Sequence, residues 1–282
     1  MKLTKSIKYD KTTIILTVIF LIGLSVMLYP SFSNYWNSKR QTQAVASYDA
    51  AVSKMSTKDY EKYFSQAESY NQDLANLSDP LENYKDLPGF NDILNVTESG
   101  VIGYVTIDKI DTELPIYYGT SEGTLQIGVG LLNGTSFPVG GKGTHAVLSA
   151  HRGLPSAELF SRLDEMEEGD TFQITVLNRV LTYEVDQIHI VVPEDVKDLA
   201  IDPDQDYCTL MTCTPYGINT HRLLVRGVRI EGLGESVPAD AYQVEPKEVA
   251  VVITLVFLVI LMLVNFLLWK IRSIRKKRKL DL

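Results

Sequence analysis

Cysteine is nearly absent: the 282 residues hold two, Cys208 and Cys213. So few thiols exclude a disulfide-stapled scaffold, and no Cys-x-x-Cys pair or Cys/His cluster offers zinc its ligands. Histidine is scarce too, at four. No Asp-x-Asp-x-Asp-Gly calcium loop occurs. Gly140, Gly141 and Gly143 punctuate a turn rather than a phosphate cradle. No metal and no cofactor is expected. Positive charge is missing where nucleic acid would need it. The net charge is −8, with +3 on residues 1–30 and +6 on residues 249–282, which leaves −17 on the stretch between. A domain that acidic is not built for phosphate backbones. Internal repeats and low-complexity segments are also absent.

Long apolar runs, in contrast, are present at both ends. Residues 249–269 carry no charge, with Thr254 and Asn265 as the polar breaks. At about 1.5 Å per residue they span a hydrocarbon core of roughly 30 Å. Trp269 and a basic cluster follow at the border. Residues 14–29 form a second run behind Lys2, Lys5, Lys8 and Lys11. This is either a cleaved signal or an uncleaved anchor, and Tyr29, Pro30 and Phe32 offer no small-x-small cleavage site. Lysine and arginine mark the cytoplasmic side. Both termini are therefore expected on the cytoplasmic side of a cell membrane, with residues 31–248 on its extracellular face.

Residues 31–78 read as two amphipathic helices. Val45, Tyr48, Val52 and Met55 give the first stripe, and Tyr60, Phe64, Ala67, Tyr70, Leu74 and Leu77 the second. Ser56 with Asp59 resembles a capping box. Residues 78–92 read as a loop, broken by two prolines and a glycine. From about residue 100 the apolar period becomes two. Strands are expected at 101–107, 114–118, 144–150, 171–177, 181–191, 207–213 and 222–230, with a short helix near 157–166. The fold class is mostly β, a closed barrel or a sandwich, with N-terminal α-helices and transmembrane helices at both ends.

Three residues offer chemistry. Cys213 ends an apolar strand and opens a turn, so its side chain is held while its tip stays reachable, as a nucleophile requires. His151 ends another strand beside Gly153 and is suited to proton transfer. Arg222 begins the next strand, and antiparallel pairing would return it to Cys213, where a guanidinium can donate to an oxyanion. Each has a plain alternative: a packed thiol, a surface histidine, a solvated ion pair. Cys208 reads as a packed residue. His145 and His189 lie in strand patterns without a partner signal, and His221 points away from its neighbour Arg222. The cysteine spacing of five argues against a disulfide.

The stretch TLMTCTPYGINTHRLLVRG, residues 209–227, resembles the active-site signature of sortases, cysteine transpeptidases of Gram-positive cell surfaces. Residues 144–170 resemble the segment around their catalytic histidine. With the membrane segments and N-terminal extension, the likeness is to class C, the pilus-assembling group. It covers residues 80–232 or so. The resemblance implies an eight-stranded sortase β-barrel over residues 93–235 and a catalytic Cys213, His151 and Arg222. It implies a Leu-Pro-x-Thr-Gly sorting signal cleaved between Thr and Gly, and a pilin lysine amine as acceptor. It also implies a lid at 79–92, where Asp79 pairs with Arg222. Asp79-Pro80 fits that pattern, but Leu81 stands where class C has an aromatic residue. The remaining divisions are the anchor to residue 30, helices at 31–78, a linker at 236–248 and a basic tail at 270–282. The competing readings are a wall-anchoring sortase using a peptidoglycan precursor amine and a silent membrane-anchored scaffold.

Overall fold

The computed structural model describes residues 11–231 apart from Glu98. The expected linker, second membrane segment and basic tail lie outside the described residues.

The described residues open with α1 (Lys11–Val52), which runs unbroken across the expected boundary at residue 30 with Pro30 inside it. A proline removes one backbone donor, and here it does so without ending the helix, as prolines inside membrane helices also do. Among the described residues this is one helix long and apolar enough to cross a membrane. Its second half turns amphipathic. Tyr48 is fully buried; its hydroxyl donates to Ile102 O at 3.1 Å and accepts from Leu177 N at 2.8 Å. That pins α1 to the barrel.

α2 (Thr57–Ala75) starts where Ser56 and Asp59 form the expected capping box. Phe64, Ala67, Tyr70 and Leu74 are buried, as their spacing predicts. Asn71 adds what spacing does not reveal. Its amide bonds both backbone groups of Phe137, donating to O at 3.0 Å and accepting from N at 2.8 Å.

Eight strands follow: β1 (Val101–Ile107), β2 (Thr112–Tyr118), β3 (Val129–Leu131), β4 (Thr144–Ser149), β5 (Thr171–Val176), β6 (Arg179–Val191), β7 (Asp206–Thr214) and β8 (His221–Ile230). They close into a barrel in the order β1-β2-β3-β4-β7-β8-β6-β5. The β2–β3 and β4–β7 pairs are parallel and the others antiparallel. Closure leaves a barrel rather than a sandwich. Its interior is filled by residues such as Ile102, Ile116, Leu131, Phe172 and Leu210.

Three expectations need correction. β3 was not anticipated, because three residues centred on Gly130 carry no periodic signal. Gly130 is there because a Cβ would stand 2.2 Å from Gly119 O. The helix expected near 157–166 is only a 3-10 turn at Leu163–Glu165. Leu159 adopts a left-handed backbone with φ 44°, which ends any helix there, and its side chain goes to the core. The expected loop at 78–92 contains a helical turn, α3 (Pro80–Asn83), followed by a 3-10 turn. Asp79 at the N-cap and Pro80 at the first helical position favour that start.

Candidate active site

β7 and β8 form a hairpin in which Cys213 stands opposite Arg222. β4 runs parallel along the other edge of β7, with Ser149 level with Met211. The pairing continues beyond β4. Ala150 N donates to Met211 O at 3.1 Å, and Thr212 Oγ1 donates to Ala150 O at 2.8 Å. His151 therefore leaves the sheet beside Cys213. Residues far apart in sequence meet at one end of three adjacent strands.

β7 sorts its side chains by face. Cys208 and Leu210 belong to the barrel core. Met211 packs instead in a second apolar cluster with Val147 of β4 and Leu224 of β8, covered by Leu199. Cys213 is two residues from Met211 and shares that outer face. Both thiols are free. Cys208 is fully buried, and burial pushes its thiol well up; a neutral packed thiol is no nucleophile. Cys213 is partly exposed.

The His151 side chain is one-quarter exposed, with Nε2 buried and without a hydrogen bond. The nearest carboxylate oxygen is Glu122 Oε2, at 3.6 Å. Glu122 opens α4 (Glu122–Leu125), whose start is capped by Ser121. Nothing in the sequence marks Glu122. The β2–β3 crossover brings it there, and only the fold reveals the crossover.

Arg152 was also unmarked beyond its place in the His-Arg-Gly triplet. Its largely buried guanidinium pairs with Asp164. Nη1 lies 3.4 Å from Thr214 Oγ1, and the head sits 5.8 Å from the centroid of the Tyr216 ring. This arginine ties the segment after His151 to the segment after Cys213.

Arg222 Nη1 donates to His221 O at 3.1 Å and Asn219 O at 3.4 Å. Among the described residues no ion pair involves Arg222, so the expected pair with Asp79 is not formed. Asp79 Oδ1 instead accepts from Glu82 N at 3.4 Å, as the cap of α3. Capping a helix start competes for the same carboxylate. α3 is seated elsewhere, on Gly134. A Cβ at Gly134 would approach Leu81 Cα and Pro80 O to 2.7 Å.

His145 and His189 do have partners. His145 is fully buried, with Nδ1 2.9 Å from Ala200 O and Nε2 2.7 Å from Thr209 Oγ1. Burial lowers its pKa. It ties the β6–β7 connection, and with it Leu199, to β4 and β7. His189 pairs at the surface with Asp198 at 2.8 Å. A cleft of about 1050 Å³ lies apart from Cys213, between α2 and the 139–144 turn, lined by Asn71, Arg179, Asp206 and Arg229 among others. Its volume does not make it the reactive site, since none of the three candidate residues lines it.

A sortase-domain profile matches residues 105–230, which takes in almost the whole barrel. Sortase C1 from Streptococcus agalactiae is 44% identical in sequence; the superposition covers 67% of this chain and 99% of that one, at TM-score 0.62. The chain belongs to the sortase family. Sortases are cysteine transpeptidases, and the solved neighbours of this sortase are of class C. A second, sortase C from Streptococcus pneumoniae, is 47% identical over 67% of this chain and 97% of that one, at TM-score 0.60. A curated relative, sortase A of Streptococcus agalactiae, is 32% identical over 143 residues. That alignment takes in 50% of this sortase and little more than half, 57%, of the relative.

Proposed function

We propose that this sortase is a membrane-anchored cysteine transpeptidase that polymerises pilins, with Cys213, His151 and Arg222 as its catalytic groups. The observation carrying the reading is the register that opposes Cys213 and Arg222 while the extended β4–β7 pairing brings His151 alongside. Cys213 and His151 share one proton as thiolate and imidazolium. The thiolate attacks the Thr–Gly carbonyl of a Leu-Pro-x-Thr-Gly signal. Arg222 uses Nη1 on backbone carbonyls, which leaves its other N–H edges to donate to the oxyanion. As the intermediate collapses, His151 gives its proton to the departing glycine amine, and a thioester remains on Cys213. A pilin lysine amine then attacks the thioester. His151 takes back a proton, the C–S bond breaks to return the Cys213 thiolate, and the isopeptide-linked product is released.

The Streptococcus pneumoniae relative is described in terms of pilin substrate specificity, and the same substrate class is proposed here. α1 supports anchoring at the N-terminal side. The 249–269 segment is proposed as a second span, with both ends cytoplasmic and the barrel outside. The test is incubation of the full chain with a labelled Leu-Pro-x-Thr-Gly peptide. A Cys213 thioester found by mass spectrometry, resolved to an isopeptide by a lysine-bearing pilin, is the expected result. No adduct overturns the transpeptidase. An adduct that only water or a peptidoglycan-type amine resolves overturns the pilin acceptor.

A further inference from the structure

The order of residues along α1 fixes a height above the bilayer. If the hydrocarbon span starts at Thr12, about 20 residues at 1.5 Å each carry it roughly 30 Å, to Phe32. Phe32, Tyr35 and Trp36 are 67%, 43% and 51% exposed. Behind them, Lys39 Nζ lies 5.6 Å from the Tyr35 ring centroid and the Arg40 guanidinium 5.6 Å from that of Trp36. Apolar residues, then aromatics, then cations is the sequence of solvents met on leaving a membrane, since indole and phenol rings favour the headgroup level and cations favour phosphate.

The same turns of α1 hold the loop that follows His151. Asn34 Oδ1 accepts from Glu158 N at 2.9 Å, and Asn37 Nδ2 donates to Ser156 O at 2.8 Å. One turn on, Gln41 Nε2 donates to Ile127 O at 3.1 Å, just past α4, which carries Glu122. Asn34 and Asn37 lie two and five residues beyond Phe32, or about 3 and 8 Å along the axis. A headgroup layer is itself roughly 5–8 Å deep. The 156–158 loop, stitched to this helix, is thus at headgroup depth, and Phe160 N donates back to His151 O at 3.2 Å. The β7–β8 connection adds a second exposed apolar pair at this end of the barrel, Tyr216 and Ile218, at 62% and 68% exposure. The Tyr216 ring lies against Gly153, where a Cβ would come to 3.0 Å of it.

From this we infer that the Cys213 end of the barrel is seated in the lipid headgroup layer, with Tyr35 and Trp36 of α1 and Tyr216 and Ile218 of the β7–β8 connection as its contact surface. The partner is the bilayer surface itself. The strongly acidic stretch between the end segments makes bulk charge attraction a poor alternative, so the contact rests on the aromatic residues, with Lys39 and Arg40 beside them. The inference depends on the anchored reading above and adds a depth and a contact surface to it.

The test reconstitutes the full chain into phosphatidylcholine vesicles containing phosphatidylglycerol. The chain has two tryptophans, so Trp269→Phe leaves Trp36 as the sole tryptophan, whose emission is excited selectively over that of tyrosine. In a second preparation Cys213 carries a fluorescent thiol label, Cys208 being buried. Nitroxides are placed at the lipid headgroup or at the acyl-chain end. The expected result is that both probes are quenched more by the headgroup nitroxide, and that Tyr216→Ser with Ile218→Ser weakens quenching of the Cys213 label while Trp36 is unaffected. A chain that floats with the vesicles but whose Cys213 label ignores the headgroup nitroxide overturns the seating and leaves the anchor standing. A chain that does not float with them overturns the anchor, and the seating with it.

Discussion

At the scale of single residues, two cysteines on one strand have opposite fates. Their spacing of five puts them on opposite faces. Cys208 faces the core and is fully buried, whereas Cys213 is reachable. Cys213→Ala is expected to abolish the peptide adduct in a chain that still folds, and Cys208→Ala to keep it. Intact-mass measurement after peptide incubation reads both, and the opposite pattern would move the nucleophile to Cys208. Arg222 offers a sharper test of geometry. Lysine retains the charge but not the planar array of donors. Arg222→Lys is expected to slow adduct formation by about 10²–10³-fold, the usual loss for one oxyanion donor. A rate near that of the unaltered chain would reduce Arg222 to a source of general positive charge.

At the scale of elements, the 78–92 segment behaves differently from its sequence expectation. The Asp79 carboxylate caps α3 rather than meeting Arg222, so charge is not its fastening. Its seat is steric, Pro80 and Leu81 against the bare Cα of Gly134, which also has φ 82°. A side chain at Gly134 meets backbone that cannot give way, and it strains a left-handed conformation as well. If α3 restricts access to Cys213, Gly134→Ala and Leu81→Ala should both speed labelling of Cys213 by a thiol reagent, more than Asp79→Ala does. Displacing a cover raises the competent fraction in proportion. Labelling rates equal to those of the unaltered chain would remove the lid from the account.

At the scale of the whole molecule, the barrel is held to its surroundings by buried polar contacts, and one of them titrates. His145 joins β4 to Ala200 of the β6–β7 connection and to Thr209 of β7. Burial, the largest influence, holds its pKa below the ordinary value. The unfolded imidazole takes its proton near pH 6.5. The stabilisation from a neutral His145 is therefore complete above about pH 6.5 and is lost as pH falls from there through the lowered folded pKa. Thermal melts from about pH 7.5 to about pH 5.5 should show a steeper fall in Tm for the unaltered chain than for His145→Gln. Parallel falls would mean that other groups account for the acid sensitivity.

Much was legible in sequence because it depends on local periodicity. The stripe of Tyr48 and Val52, the capping box of Ser56 and Asp59, and seven of the eight strands are each written within a few residues. The resemblance added the barrel and the trio of Cys213, His151 and Arg222, and each of the three also stood out alone, at a strand end. What sequence could not carry was pairing between distant segments. β3 exists because Gly130 lets the backbone pass Gly119, and three residues make no period. Glu122 reaches His151 through the β2–β3 crossover, and Arg152 reaches Thr214 and Asp164 through the adjacency of β4 and β7. Asp79 had two available partners, the nearby amide of Glu82 and the distant Arg222. The helix start took it, because a cap closes over three residues whereas the ion pair requires the whole barrel to bring its partners together. Local rules thus determined most of the elements and which side chains offer chemistry by type, while the closed barrel alone decided which of them meet.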